Sequence, residues 1–338
     1  MKKLFIISNE SIFFNEGKYF CDNKDMKSTP EGLSTNFEIN IFARKSKKMR
    51  SHEINIKNIR IFSSLFSFCL GIFNSLRHNG SKYLIISITP YTFLSIIFLK
   101  LFGKKPILYL RSDGYKEYKI ILGFLGHFIY HLMFKITSSF SYLVSCEESI
   151  LRKNKGELVK PSQLSDVWFS DIKPLNFSKI KLLFVGRIKK EKGVFSLLEM
   201  IKNYDFFLTI VGAEKNKAKS IFQRNVNVLE IESNEKNLIK YYDDHNIFIL
   251  PSFTEGHPMA LIESLARMRP VIIFDEVKHV AQDKKGVFIS RRNEQSLLNT
   301  INHIKNNQET IQEEMKKNKL PTNKEFIKNL SNLISNLN

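Results

Sequence analysis

The sequence predicts an α/β protein with two doubly wound domains, and three observations support this prediction. The chain has 338 residues, more than a single hydrophobic core usually accommodates. Short apolar runs alternate with helical patterns almost from end to end, as is typical of βαβ units around parallel sheets. A polar segment without periodicity, residues 168–179, separates two series of such runs. We therefore place the domains at residues 1–170 and 171–338.

Nine apolar runs are predicted to be strands, because each is short and rich in β-branched or aromatic residues. They are residues 4–8, 83–88, 106–111 and 142–146 in the first half, and 180–186, 206–212, 227–231, 247–251 and 270–274 in the second half. The chain from Asn293 onward keeps a helical spacing of Leu and Ile, so it is predicted to be helical. Ligands of doubly wound sheets bind beyond the carboxyl ends of the strands, which makes the turns after the strands the informative ones.

The composition argues against several kinds of site. The three cysteines are widely spaced and form no CxxC pair, which indicates neither a disulfide framework nor a zinc site and fits a reducing cytoplasm. The apolar run near the N-terminus is too short for a signal peptide. Residues 83–103 and 120–136 are longer apolar stretches, but Pro90 breaks the first and a stripe of His and Lys interrupts the second. Neither is therefore predicted to span a membrane.

The chain is strongly basic, with a formal net charge of +19. Residues 1–170 carry 25 Lys and Arg against 13 Asp and Glu. Such a surface attracts nucleic acid, anionic lipid or phosphorylated small molecules alike. The sequence has neither zinc-finger spacing nor the interleaved basic and aromatic residues of RNA-recognition modules, so no nucleic-acid partner is expected.

One basic apolar segment, residues 116–136, is predicted to meet an anionic membrane surface. It combines Lys116, Lys119 and Lys135 with Ile, Leu, Phe and Met. A helix of this kind can lie in a membrane interface with its lysines at the headgroups. The alternative is that its apolar residues form the ordinary core side of a βαβ helix.

Two turns that follow second-half strands contain candidate binding residues. Gly186 ends the strand predicted at residues 180–186, and Arg187 and Lys192 follow it. An arginine and a lysine beside a helix N-terminus suit a diphosphate. A solvated basic loop is the alternative. Gly212 ends the next strand, where a glycine would allow a close backbone approach.

The third turn, PSFTEGHPMALIE at residues 251–263, places two carboxylates eight residues apart. Gly256 and Pro258 are expected to start a helix whose free N–H groups and positive dipole end face a ligand. Eight helical residues span about 12 Å, which suits Glu263 at the ribose and Glu255 at the sugar of a nucleotide sugar. The alternative is that Glu255 stabilises the helix dipole and that Glu263 is a surface residue.

Together the three turns resemble the nucleotide-binding half of the retaining glycosyltransferases of family 4, which have the GT-B fold. The pattern is a strand followed by GR-x4-KG, a strand followed by VG, and a strand followed by PS-x2-EG-x-P-x4-E. The resemblance is close over residues 180–290 and limited to the rhythm of strands over residues 1–170. It implies two facing Rossmann-like domains with a cleft between them, the acceptor bound by the first and the sugar nucleotide by the second. It also implies a last helix that crosses back to the first domain.

The resemblance implies a role for each matching residue. Arg187 and Lys192 would bind the diphosphate and Glu255 the donor sugar, and these three would be catalytic residues. Glu263 would bind the ribose. The other nucleotide-sugar-binding residues would be Gly186, Gly212, Gly256, His257, Pro258 and Met259. Met268 stands where the family usually has a glycine in a tight turn, so the geometry of that turn is expected to differ.

The acceptor side of the site is predicted in the first half. Asp113, just after a strand, is the nearest ionisable substitute for a histidine that family members often carry there, and it is a candidate catalytic residue. A turn former or helix cap is the alternative. Gly17 is a candidate for a flexible acceptor loop. His127 and His131 have the spacing of a helical metal pair, but no third ligand is near, so a polar stripe is favoured over a metal site.

The activity that the resemblance implies is the retaining transfer of a hexosyl or N-acetylhexosaminyl residue from a nucleotide sugar, with UDP expected. The acceptor would be a glycan or a polyprenyl-diphosphate-linked saccharide of bacterial surface polysaccharide synthesis. The setting would be the cytoplasm or the inner face of the cell membrane. Basic side chains and helix amides would stabilise the leaving diphosphate, so no metal or other cofactor is obligatory. The alternative is a non-catalytic GT-B protein that binds a nucleotide sugar or a partner enzyme.

Overall fold

The computed structural model describes residues 1–78, 80–213 and 224–337, and the chain forms two compact units. Unit 1 comprises Met1–Gln163 and the C-terminal segment from Asn323, and unit 2 is Leu164–Thr322. Unit 2 therefore begins before residue 171, where the sequence placed the border. The reason is Trp168, which is fully buried in the core of unit 2 and whose carbonyl accepts a hydrogen bond from Arg267.

The strands and helices are numbered in chain order. The strands are β1 (Lys2–Asn15), β2 (Lys18–Cys21), β3 (Phe37–Lys45), β4 (His52–Ile54), β5 (Asn58–Phe62), β6 (Lys82–Ile86), β7 (Ile107–Leu110), β8 (Tyr142–Ser145), β9 (Glu157–Leu158), β10 (Lys181–Val185), β11 (Phe207–Ala213), β12 (Val226–Glu230), β13 (Ile247–Leu250), β14 (Val271–Phe274) and β15 (Val287–Ser290). The helices are α1 (Lys24–Leu33), α2 (Leu65–Ser75), α3 (Pro90–Leu101), α4 (Gly114–Phe140), α5 (Val194–Ile201), α6 (Glu235–Asp243), α7 (Met259–Ala266), α8 (Glu294–Asn306), α9 (Gln308–Met315) and α10 (Asn323–Asn336).

The sheet of unit 1 is parallel in the order β5-β3-β1-β6-β7-β8-β9, and the short strands β2 and β4 extend it as antiparallel partners. Successive side chains of a strand point to opposite faces. In β1, Leu4 and Ile6 accordingly pack in a core with α1 and α10, whereas Phe5 and Ile7 pack in a second core with α2, α3 and α4. The predicted parallel architecture of the first half is confirmed, with helices on both faces of the sheet.

The first strand is longer than the sequence indicated, and it ends in a hairpin that contains Gly17. β1 continues through an irregularity between Ile7 and Ser11 and pairs with β2. Glu16 and Gly17 connect these two strands, and both have positive φ, 49° and 78°. Two residues in the left-handed region form the type of tight turn that suits the twist of a hairpin. Gly17 therefore lies in the turn of a β-hairpin, and its part in acceptor binding stays a prediction.

Unit 2 contains a six-stranded sheet that is parallel throughout, in the order β12-β11-β10-β13-β14-β15. All residues of β13 and β14 are buried, as expected of central strands covered on both faces. The adjacency of β10 and β13 matters for function, because it brings the turns after these two strands to the same edge of the sheet.

Two apolar stretches were considered as membrane spans from the sequence. Residues 83–103 separate into part of β6 and the helix α3, as predicted. By length and composition, α4 is the one described helix long and apolar enough to cross a membrane. It is interrupted, however, at Gly123, whose φ of 66° and ψ of −147° are not helical.

Candidate functional site

Gly186 and Gly212 lie at the carboxyl ends of the neighbouring strands β10 and β11, where the two backbones nearly touch. Gly212 has a φ of +125°, and a Cβ there would lie 2.4 Å from the carbonyl oxygen of Gly186. The Gly186 N–H donates to the carbonyl of Val211 at 2.8 Å. The close backbone approach expected at Gly212 is therefore observed, and its partner is Gly186. The sequence that follows this strand, residues 214–223, lies outside the described residues.

The basic turn after β10 packs against the turn after β13. Gly193 has a φ of +66°, and a Cβ there would lie 2.0 Å from the carbonyl oxygen of Pro251. The Phe253 N–H donates to the carbonyl of Glu191 at 2.9 Å. This contact depends on a glycine, since any side chain at residue 193 would force the two turns apart.

Lys192 and Glu255, two of the predicted catalytic residues, form an ion pair across these turns. Lys192 Nζ lies 2.6 Å from Glu255 Oε1, and Ser252 Oγ donates to the same oxygen at 2.7 Å. His279 Nε2 lies 2.8 Å from the backbone carbonyl oxygen of Glu255. The carboxylate is thus held in a fixed position at the edge of the sheet.

The helix after this turn begins later than predicted. Pro258 is the N-cap of α7, and Met259 is its first residue. Glu255 therefore lies before the helix, so the distance of about 12 Å inferred from a continuous helix does not apply to the pair of glutamates. Gly256 and Pro258 are buried, whereas His257 and Met259 are half-buried.

Glu263, on α7, is buried with 5% of its surface exposed. The alternative of a surface residue is thereby wrong. Glu263 Oε2 accepts a hydrogen bond from the hydroxyl of the fully buried Tyr242 at 2.9 Å. Burial, and then the negative charge of Glu263, raises the pKa of Tyr242 well above its ordinary value. The phenol therefore keeps its proton and holds the carboxylate in one orientation.

Arg292 supports the turn after β13, and the sequence analysis missed it. Its guanidinium donates to the carbonyl of Pro251 at 2.9 Å and of Ser252 at 3.2 Å, and it pairs with Glu276 at 2.7 Å. It also lies 4.1 Å from the centroid of the Phe253 ring. Burial favours protonated Glu276, but hydrogen bonds from Arg292 outweigh this and hold the pKa of that carboxyl below its usual range. Arg292 follows β15, a strand that the sequence analysis did not identify.

Arg187, the remaining predicted diphosphate ligand, is exposed. It follows Gly186 at the carboxyl end of β10, and it forms no ion pair within the described ranges of the chain. Its guanidinium is thus accessible at the same edge of the sheet as Lys192. The structure brings together Lys192 and Glu255 by direct contact, and it places Arg187 and Glu263 on neighbouring segments.

Asp113 lies in unit 1 and is the N-cap of α4. Its Oδ1 accepts from the N–H groups of Tyr115 at 3.2 Å and Lys116 at 3.4 Å. Arg152 Nη2 lies 3.0 Å from Oδ2 and 3.2 Å from Oδ1. The helix cap, given as the alternative from the sequence, is what the structure shows. Because donors occupy both carboxylate oxygens, we assign no proton transfer to Asp113.

The two histidines of α4 contact Tyr115. His131 Nδ1 lies 3.0 Å from the Tyr115 hydroxyl, and the His127 ring lies 5.1 Å from the Tyr115 ring. In the part of the chain that the structure describes, no three His, Cys, Asp or Glu side chains form a group that could hold a metal ion.

Comparisons with known proteins agree with this geometry. The structure matches sucrose-phosphate synthase from Thermosynechococcus elongatus with a TM-score of 0.72 and 14% identity, over 99% of this chain and 98% of that one. It matches Anabaena HepE, solved in complex with UDP and glucose, with a TM-score of 0.67 and 10% identity, over 100% of both chains. The chain has the GT-B fold. Its two parallel-sheet Rossmann-like units are those of this fold.

Sequence comparisons support a place in the GT-B glycosyltransferase superfamily. Residues 169–320 of this GT-B chain match the family described as glycosyl transferases group 1. The segment contains all the candidate residues of unit 2. The capsular polysaccharide biosynthesis glycosyltransferase CapM of Staphylococcus aureus is 23% identical over 323 residues, which cover 79% of this chain and 84% of CapM. These matches support a transferase.

Proposed function

We propose that this chain is a retaining glycosyltransferase of family 4 that transfers a hexosyl or N-acetylhexosaminyl residue from a UDP-sugar to a glycan or lipid-linked saccharide. The observation that carries the proposal is the Lys192–Glu255 pair at the carboxyl edge of the unit 2 sheet, followed by the buried Glu263. The name of CapM supports a place in surface polysaccharide synthesis. The complex of HepE with UDP and glucose supports UDP as the nucleotide of the donor.

The charged candidate residues and two glycines of unit 2 have the following roles in this proposal. Lys192 and Arg187 bind the diphosphate, as charge-assisted hydrogen bonds to phosphate oxygens are among the strongest in proteins. Glu255 accepts from hydroxyls of the donor sugar, and Glu263, oriented by Tyr242, accepts from the ribose. Gly186 and Gly212 leave the backbone accessible to the nucleotide. Unit 1 binds the acceptor.

The reaction breaks the bond between the anomeric carbon and the oxygen of the β-phosphate. The leaving UDP keeps the electron pair, and Lys192, Arg187 and backbone N–H groups stabilise its growing charge. The acceptor oxygen attacks from the face that the diphosphate leaves and passes its proton to a β-phosphate oxygen. The products are UDP and a glycoside with the configuration of the donor. In this scheme the chain requires no metal ion or other cofactor.

The cellular setting belongs to the same proposal. We place the enzyme in the cytoplasm, at the inner face of the cell membrane, because a polyprenyl-diphosphate-linked acceptor is held in that membrane. A soluble glycan acceptor would require no such location.

The test is thermal unfolding in the presence of UDP, GDP, ADP and CMP, followed by donor turnover with UDP-sugars. A ligand at 100 times its Kd stabilises a protein by about 2.7 kcal/mol, so UDP is expected to raise the Tm and the other nucleotides are not. Release of UDP from a UDP-sugar distinguishes an enzyme from a non-catalytic binding protein. Stabilisation by none of the nucleotides would contradict the proposal, and UDP binding without turnover would favour the non-catalytic alternative.

A further inference from the structure

The helix α4 folds back on itself at Gly123. In a straight helix, Tyr115 and His131 would be about 24 Å apart. The Tyr115 hydroxyl instead lies 3.0 Å from His131 Nδ1. Residues 114–122 and 124–131 therefore form a helical hairpin. The sequence pattern indicates one continuous helix here and does not reveal the reversal.

Two glycines and an aromatic residue allow the arms of the hairpin to pack closely. A Cβ on Gly126 would lie 2.0 Å from the carbonyl oxygen of Tyr118, and a Cβ on Gly114 would lie 2.1 Å from the ring of Tyr130. The rings of Tyr118 and Tyr130 are 5.2 Å apart. These contacts hold the arms together, so the fold-back is a packed element of unit 1.

The hairpin projects beyond the carboxyl edge of the unit 1 sheet. The strand β7 ends at Leu110, and α4 starts at Gly114, just past that edge. Tyr115 packs against Phe134 at 5.6 Å, and residues 131–140 then return beside the sheet with Met133 and Phe134 in its core. Gly123 is eight residues beyond Tyr115, so the bend lies about 12 Å further out.

The outer surface of the hairpin is apolar and exposed. Phe124 is 82% and Leu125 is 68% exposed. We call residues 120–129 the hairpin tip; its other exposed large apolar side chains are Ile121, Leu122, Phe128 and Ile129. No charged residue occurs from Ile120 to Phe134. A contiguous exposed apolar surface of this kind marks a site of interaction with a protein or a membrane.

Charge distinguishes between these two partners. The half-buried Lys116 and the exposed Lys119 lie on the first arm, next to the hairpin tip. Unit 1 has 27 Lys and Arg against 13 Asp and Glu. A bilayer with anionic lipid offers an apolar layer to the tip and negative headgroups to the lysines. Lys135, included in the basic segment from the sequence, lies on the part of α4 beside the sheet and not at the tip.

The hairpin is too short to cross a bilayer. A spanning helix needs about 20 apolar residues, and each arm of the hairpin is shorter than half of that length. An element of this size can enter only the boundary between headgroups and acyl chains, as interfacial helices do.

We propose that the hairpin tip inserts into the headgroup–acyl boundary of an anionic bilayer and holds the carboxyl edge of the unit 1 sheet against the membrane. This inference deepens the proposed function. It rests on that function only for the statement that a lipid-linked acceptor would bind at that edge. The insertion itself depends on the geometry of α4.

The direct test is a Phe124→Trp variant of the full chain. The natural chain has one tryptophan, Trp168, which is fully buried. Vesicles of phosphatidylcholine with phosphatidylglycerol are expected to shift the emission of the introduced indole to the blue, and brominated acyl chains are expected to quench it. The matched control is Leu101→Trp, because Leu101 is 74% exposed but lies at the end of α3, before β7 and at the opposite edge of the same sheet. Its emission should not change.

A second pair of variants measures the contribution of the tip to binding. Phe124→Ser with Leu125→Ser removes two large apolar groups and is expected to weaken partition into anionic vesicles by about thirtyfold. Leu101→Ser with Phe102→Ser is the control and should partition like the unchanged chain. Release of UDP from the donor without vesicles should be equal in all of these proteins, so failure of the insertion is distinguishable from failure of the proposed function.

Several outcomes would overturn the insertion. They are unchanged emission of the Phe124→Trp variant with vesicles, equal partition into phosphatidylcholine vesicles with and without phosphatidylglycerol, and equal loss in the two serine variants. Sedimentation without vesicles tests the main competitor. If the tip substitutions turned a dimer into a monomer, the surface would belong to a second copy of the chain.

Discussion

Lys192 and Glu255 form an ion pair in which both partners have a further role in the proposed reaction. Their side chains are 23% and 10% exposed, so each would be costly to leave without a counter-charge or hydrogen-bond partner. In the proposed reaction, the diphosphate of the donor would replace Glu255 as the counter-charge of Lys192, and sugar hydroxyls would replace Lys192 as donors to Glu255. The pair would therefore exchange its partners without leaving either charge uncompensated.

We expect Lys192→Ala to lower kcat by about 10²- to 10³-fold, more than it raises the KM for the donor. The reason is that the charge on the diphosphate grows as the glycosidic bond breaks, so the lysine contributes most in the transition state. Steady-state kinetics of UDP release measure both constants. Lys189→Ala is the control, because Lys189 is an exposed neighbour whose Nζ lies 4.0 Å from Glu191 Oε1. A raised KM with unchanged kcat would show that Lys192 serves ground-state binding only.

We expect Glu263→Ala to weaken nucleotide binding by about 1.5 to 3 kcal/mol, the usual contribution of a hydrogen bond to a charged group. Tyr242→Phe should weaken it less, because the carboxylate remains but loses the hydroxyl that orients it at 2.9 Å. Calorimetric titration with UDP measures both changes. Unchanged affinity in Glu263→Ala would remove Glu263 from the nucleotide site, and equal losses in the two variants would contradict a positioning role for Tyr242.

Among the elements, the turns after β10 and β13 act as one unit. Gly193 brings them into contact, the Phe253 N–H bonds them together, and Arg292 holds the second turn from the far side. The distance from Lys192 to Glu255 is therefore set by backbone packing and not by the two side chains alone. Such support from rigid neighbours keeps a site in its productive geometry.

We expect Gly193→Ala to destabilise unit 2 by roughly 2 to 4 kcal/mol and to lower donor turnover. The substitution adds a positive-φ alanine and also forces a Cβ towards the carbonyl oxygen of Pro251. Gly103→Ala is the matched control, since Gly103 has a φ of +69° but nothing within 4 Å of the added Cβ. This substitution should lower stability only by the energy of placing an alanine in the left-handed region, about 1 to 2 kcal/mol. Denaturation followed by Trp168 fluorescence reports on unit 2, and denaturation followed by far-ultraviolet circular dichroism also reports on unit 1, which contains Gly103. Equal unfolding midpoints for Gly193→Ala and the unchanged chain would disprove the contact.

The elements that the sequence predicted are those whose pattern is local. The central strands β13 and β14 are short apolar runs between polar turns, and they were identified. The strand β3 alternates in the sequence FEINIFARK, but charged residues within it masked the apolar face. The bend in α4 could not be predicted, since a glycine within a helical pattern is usually tolerated, and only packing of Tyr115 against His131 reveals the reversal.

The candidate site was predicted by residue type but not by contact. The glycines and charged residues of unit 2 were recognisable because they follow strands, where ligands of doubly wound sheets bind. The ion pair of Lys192 with Glu255 depends on the adjacency of β10 and β13, and strand order is not readable from local patterns. Tyr242 and Arg292 remained unnoticed because a buried tyrosine on a helix and an arginine after an unrecognised strand have no distinctive local signature.

At the scale of the whole molecule, both units bury tyrosines whose ionisation is opposed by folding. Tyr109 and Tyr130 lie in the cores of unit 1 and Tyr242 in the core of unit 2. Burial is the main cause that raises the pKa of each phenol above its ordinary value. An unfolded tyrosine ionises near pH 10, so the unfolded chain loses these protons at a lower pH than the folded chain.

We therefore expect the free energy of unfolding to fall above about pH 10. The sign follows from the raised pKa in the folded state: the stabilisation is fully present below the pKa of the unfolded phenol and is lost as the pH rises toward that of the folded one. Tyr242→Phe should reduce the alkaline loss in unit 2. Denaturant titrations at a series of pH values measure it, and tyrosinate absorbance should show these three phenols ionising only as the units unfold. Ionisation of all tyrosines near pH 10 with the fold intact would contradict this prediction.

The helix α10 is the last element to be synthesised, but it packs in unit 1. Unit 1 can therefore be completed only after unit 2 has been synthesised. The α10 residues Phe326, Leu330 and Ile334 are almost fully buried in the core that covers one face of the unit 1 sheet. The ribosome delivers most of unit 1 first, then all of unit 2 up to Thr322, and α10 only afterwards. One apolar face of the first sheet therefore stays partly uncovered while unit 2 is being made. Transiently exposed apolar surface of this kind is prone to aggregation, so we expect that face to need protection until α10 emerges.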